Sequence, residues 1–85
     1  MFGPQAAVTR EEAAAMLVRA YKLTGEGDVP FSDVDRNMWS YSDIQALVDE
    51  QAVSGYPDNT FRPYNAVSRA EFSAMLARVI DSAFR

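Results

Sequence analysis

The sequence predicts a mainly α protein built on a helix-loop-helix repeat, and three observations carry that expectation. First, Phe2 to Tyr21 aligns with Phe61 to Ile80 at an offset of 59 residues, with ten of the twenty positions identical. Composition alone would give roughly one or two matches, so the repeat is real. Second, each copy opens with a hydroxyl residue three positions before a glutamate, Thr9 with Glu12 and Ser68 with Glu71. That is capping-box spacing, in which the hydroxyl accepts from the N3 amide and the carboxylate reaches back to the cap's own N–H. Third, apolar residues recur at helical spacing behind each cap.

In chain order, the first helix is expected from Arg10 to about Leu23, with Ala13, Met16, Leu17, Ala20 and Tyr21 as its apolar stripe. Thr24-Gly25-Glu26-Gly27 ends it, and Gly25 suits a C-terminal cap. Residues 28–38 read as a loop pinned to the core by Phe31 and Val34. A second helix is expected from Ser40 to about Ala52, buried along Ile44, Leu47 and Val48. Ser40 with Asp43 is a weaker capping box there, and Trp39 with Ile44 a hydrophobic staple. Pro57-Asp58-Asn59 is turn chemistry, and Thr60-Phe61-Arg62 is a candidate short strand. The third helix, from Arg69 to about Phe84, carries Phe72, Met75, Leu76, Val79 and Ile80 on one face, with Val67 and Phe72 as its staple.

With 85 residues, 48% hydrophobic and 24% charged, the chain permits one small domain. Such a domain hides only about 60–65% of its unfolded surface, so its stability is modest unless it docks onto something else. Cysteine and histidine are both absent. With them go the disulfide scaffold, the thiol nucleophile, the commonest general base and the commonest metal ligand. The expectation is therefore no enzyme, no catalytic residue and no cofactor. Asp33, Asp35 and Asn37 begin like a calcium loop, but Met38 stands at its glycine position and Ile44 at its twelfth, so no metal is expected. A net charge of −4 argues against nucleic acid as a partner. No apolar run approaches the ~18 residues of a membrane span, and Met1-Phe2-Gly3-Pro4 lacks the basic region and apolar core of a signal peptide.

Thr9, Glu12, Ser68 and Glu71 thus have structural work as helix caps. Arg10 and Arg69 do not. Each occupies the first helical position, where the positive end of the helix dipole mildly disfavours a cation, so they are the first candidates for function. The plain alternative is a surface ion pair of little net value. Trp39 likewise reads either as a buried staple or as the wall of a groove.

Taken together, several stretches resemble one family. Phe31-Ser32-Asp33-Val34, Trp39 with Ile44 and Leu47, the run from Val53 to Pro63, and Val67-Ser68-Arg69-Ala70-Glu71-Phe72 are similar, in order, to one S-layer homology (SLH) repeat. Phe2 to Tyr21 resembles the closing half of a preceding one. The resemblance divides the chain into residues 1–24, a closing half-repeat; 25–30, a linker; and 31–85, a complete repeat. Asn59 stands where the family usually has glycine, and Ser68 where it usually has threonine.

The resemblance implies long helices contributed to a small helical bundle and a non-covalent anchor for an S-layer or exported protein on the bacterial surface. The implied ligand is a cell-wall polysaccharide, often carrying ketal-linked pyruvate, bound in grooves between neighbouring repeats. The implied location is extracellular, at the cell wall or S-layer. Carried over, it makes Arg10 and Arg69 the anion contacts, Trp39 the groove wall, and Ser54 and Gly55 hydroxyl or backbone donors. One groove, between Arg10 and Trp39, is expected within this chain. A planar carboxylate fits the arginine fork, and an aromatic face suits the apolar side of a sugar. Because a lone repeat leaves apolar surface uncovered, the expectation is a piece of a longer array or a chain that self-associates. The alternative function is accordingly a structural homo-oligomerisation module with no glycan bound.

Overall fold

The computed structural model describes residues 8–83. It holds three helices, α1 (Arg10–Tyr21), α2 (Tyr41–Asp49) and α3 (Arg69–Ala83), with α1 packed against both of the others. The described residues contain no strand, only an isolated antiparallel bridge between Thr9 and Ala66. The mainly α expectation therefore stands. Phe2, Pro4 and Ala7 of the first copy, and Phe84 at the expected end of the third helix, lie outside the described residues.

Both capping boxes form. The Thr9 hydroxyl accepts from the Glu12 N–H, and Glu12 accepts in return from the Thr9 N–H at 2.9 Å. Ser68 and Glu71 repeat the exchange at 3.0 and 2.9 Å. The third expected cap does not form. Ser40 is fully buried and donates at 2.8 Å to Glu11 Oε1 on α1, so its hydroxyl joins two helices where the spacing suggested it would cap one.

Helix α1 ends at a left-handed Lys22, φ 54°, whose N–H returns to the Val18 carbonyl. Gly25, expected to cap it, serves packing: a Cβ there would stand 2.8 Å from the Ala46 Cα and the Gln45 carbonyl of α2. The buried stripe of α1 is also rotated from the expected one. Ala13, Ala14, Leu17 and Val18 are buried, whereas Ala20 is exposed and Met16 and Tyr21 are 40% and 36% exposed. Small alanines allow α1 to approach two helices at once, and a stripe chosen by side-chain size passes over them. Trp39 is 56% exposed and staples nothing.

The loops are tied down by specific contacts. Phe31 and Phe61 stack at 5.4 Å between ring centroids, inside a core that includes Ile44, Leu47 and Val79. The Asp33 carboxylate accepts from the Phe61 and Arg62 N–H groups at 2.9 and 2.8 Å. Those amides are thereby taken from any strand ladder, and Arg62 adopts φ 60°, so the candidate strand at Thr60–Arg62 is a capped turn. Asn59, at φ 63°, takes the left-handed position that asparagine tolerates.

Candidate functional site

The two copies of the repeat meet through Arg10. Its side chain is buried, and Nε donates to the Phe61 carbonyl at 2.7 Å. Nη1 pairs with Glu71 Oε2 at 2.8 Å. The guanidinium lies over the rings of Phe61 and Tyr56, at 4.7 and 5.1 Å to the centroids, an arrangement that attracts a cation. The helix dipole gave no reason for an arginine here, but these acceptors 51 and 61 positions away do. Glu71 divides its oxygens: Oε1 takes the Ser68 amide, while Oε2 takes Arg10 and the Tyr56 hydroxyl, the latter at 2.8 Å. Those bonds, the Ser68 amide first, hold the Glu71 carboxyl below its ordinary value, and the same carboxylate raises the Tyr56 phenol. Arg62 covers Tyr56 at 3.9 Å.

Beside this joint the Val53–Tyr56 loop and α3 bound a groove of about 220 Å³, which Arg10, Ser54, Gly55, Tyr56, Glu71 and Arg78 help to line. Gly55 is required by close approach, because a Cβ would sit 2.4 Å from the Phe31 ring and 2.8 Å from the Thr60 carbonyl. Ser54 and Arg78 are exposed. Arg10 Nη2 has no acceptor among the described residues, so its guanidinium keeps donors to offer a ligand.

Three of the five residues picked as ligand contacts, Arg10, Ser54 and Gly55, thus share one groove. The other two do not line it. Trp39 lies beside Arg19, whose guanidinium is 6.0 Å from its ring and 3.9 Å from Asp43 Oδ2. Burial raises the Asp43 carboxyl and Arg19 opposes that shift. The expected pairing of Arg10 with Trp39 across one groove is replaced by two surfaces, because Arg10 turns inward and Arg19, nine residues further along, meets the tryptophan. Arg69 lines a separate cavity with Val67, Ser68 and Phe72. Arg78, not among the expected contacts, lines the same groove as Arg10, Ser54 and Gly55. The signal was present: Arg78 is the repeat counterpart of Arg19, one of the ten identities.

Comparison with known proteins agrees with this architecture. A model of the S-layer homology domain matches residues 1–14 and 30–73, and the chain belongs to that family. It is 35% identical over 80 residues to the Surface-layer 125 kDa protein of Lysinibacillus sphaericus, covering 94% of this chain and 7% of that protein. It is 41% identical over 49 residues to an Endoglucanase of Bacillus sp. (strain KSM-635), covering 58% of this chain and 5% of the enzyme. It is 28% identical over 89 residues to the Cellulosome-anchoring protein of Acetivibrio thermocellus, covering 95% and 19%. The chain therefore spans only a small part of the relatives it matches. No solved structure matches it.

Proposed function

We propose that this chain is a non-catalytic module that attaches a larger exported protein to the bacterial cell surface by non-covalent binding to a cell-wall polysaccharide. The observation that carries the reading is the groove in which Arg10, Ser54 and Gly55 are joined by Arg78. A carboxylated sugar finds there the exposed Arg78 fork, the spare Nη2 donors of Arg10 and the Ser54 hydroxyl. The bare backbone at Gly55 lets a ring approach closely. Pyruvate in ketal linkage supplies such a carboxylate, and paired arginine donors fit its plane. Trp39, exposed beside Arg19, offers an aromatic face to a sugar on the second surface.

Relatives named as surface-layer and cellulosome-anchoring proteins support the anchoring role. The match to a small part of an endoglucanase fits a module appended to a catalytic chain. On this reading residues 31–85 form one complete repeat and residues 1–24 the closing half of another, with Arg10 of the half-repeat completing the groove of the whole one.

Co-sedimentation with purified cell walls tests the proposal. The chain should pellet with intact walls and stay in solution once the secondary polysaccharide is removed. Equal binding to both preparations, or to neither, overturns it.

A further inference from the structure

The groove at Arg10 does not end at Arg78. That side chain also borders a second cavity, of about 320 Å³, whose walls include Glu50, Gln51, Asp81 and Ser82. Both cavities are bounded on one side by α3. The other side is the chain as it leaves α2, with Glu50 and Gln51 at the second cavity and Val53 to Tyr56 at the first. They therefore lie end to end along one trough, with Arg78 between them. Positions 74–82 of α3 advance about 12 Å along the helix axis, enough for two sugar rings in line.

The two halves differ in chemistry. The first presents the arginine donors, whereas the second adds the Glu50 and Asp81 carboxylates, the Gln51 amide and the Ser82 hydroxyl to the shared Arg78. Ser82 donates to Glu50 Oε1, which fastens the end of α2 to α3. Glu50 Oε2 and the exposed Gln51 amide have no hydrogen-bond partner among the described residues. A carboxylate accepts and an amide both donates and accepts, which suits the hydroxyl groups of a sugar. The Glu50 charge disfavours a second anion there. Gln51 stands at φ 59°, just past the end of α2, where glycine is the usual residue. The backbone therefore gives no reason for a side chain at this position, and the cavity gives one.

We propose that this second cavity is a subsite for a neutral, hydroxyl-rich sugar joined to the carboxylated one, so that the chain binds an acidic unit and its neutral neighbour in a fixed direction along α3. Arg78 serves both units, and the Gln51 amide and Glu50 Oε2 serve the neutral one. The subsite rests on the proposed holding of a carboxylated sugar at Arg10 and Arg78, and it assigns the class of the sugar next to it.

Isothermal titration with two probes tests it on the full chain: a pyruvylated monosaccharide from the cell-wall polysaccharide, and the disaccharide in which a neutral sugar is linked to that unit. The parent should bind the disaccharide about tenfold more tightly than the monosaccharide. Gln51→Gly removes the amide at a backbone position that glycine adopts freely, so the variant should fold. It should lose most of the disaccharide's advantage while binding the monosaccharide as the parent does. Equal affinity of the parent for the two probes overturns the subsite and leaves the arginine groove standing, and so does a disaccharide advantage that Gln51→Gly leaves unchanged. Binding of neither probe overturns the groove reading and the subsite with it.

Discussion

The Arg10 guanidinium and the Glu71 carboxylate, 2.8 Å apart in space and 61 positions apart in sequence, join the two copies of the repeat. Each belongs to the same motif in its own copy, and each also serves the other's. Because Arg10 is buried over two aromatic rings and a backbone carbonyl, its removal strands the Phe61 carbonyl and leaves the Glu71 Oε2 with the Tyr56 hydroxyl alone and no countercharge. Arg10→Ala should cost about 2–4 kcal/mol, as for a lost charged hydrogen-bond network, lowering Tm by on the order of 10–20 °C. Arg69→Ala, at an exposed position, should stay within about 0.5 kcal/mol of the parent. Thermal unfolding of the two variants side by side checks both values.

The two serines read as caps should part company on mutation. Thr9→Ala and Ser68→Ala each remove one cap bond and should cost about 1 kcal/mol. Ser40→Ala removes a buried hydroxyl from a buried Glu11 carboxylate. It should cost more, about 1–3 kcal/mol, because an acceptor is left unsatisfied between helices. Urea denaturation of Ser40→Ala and Ser68→Ala gives the comparison directly.

Acid stability should follow Glu71. Its carboxyl is lowered in the folded protein from an ordinary value of 4.5 by the Ser68 amide, the Tyr56 hydroxyl and Arg10. The stabilisation is present above the unfolded pKa and is lost as pH falls through the folded one. Asp43 works in the other direction: burial raises it from 3.8, so protonation on acidification favours the fold and offsets part of the loss. The Glu71→Gln variant should show a smaller fall in Tm between about pH 6 and about pH 3 than the parent does.

Gly55 makes a steric prediction. Its φ is not left-handed, so the difficulty with a side chain lies wholly in the Phe31 ring and the Thr60 carbonyl. Gly55→Ala should destabilise by about 1–3 kcal/mol, the ordinary range for overpacking, and should distort the floor of the groove. Calorimetric unfolding reads the first effect.

Much of this was legible in the sequence. The two capping boxes depend on residues three apart, and the helix stripes on a short period, so local patterns found α1, α3 and both true caps. The failures share a cause. Ser40 with Asp43 satisfies the same local pattern, but Glu11, from a distant part of the chain, claims the hydroxyl. Gly25 reads as a cap until α2 is seen lying against it. Arg10 looked free of structural duty because its acceptors, Phe61 and Glu71, are supplied by the other copy. The groove is half legible for the same reason. The loop residues Ser54 and Gly55 carry a local signature, whereas Arg78 is one of several exposed helix charges until the fold turns it toward them.

Of the two arginines that line the groove proposed to bind a carboxylated wall glycan, Arg78 is the exposed one. Isothermal titration of a pyruvylated cell-wall polysaccharide fragment into the parent and into Arg78→Ala tests that binding most directly. Arg78 is exposed, so the variant should keep its helix content while binding at least tenfold more weakly, a loss of about 1.4 kcal/mol. Equal affinity in the two proteins would contradict the account.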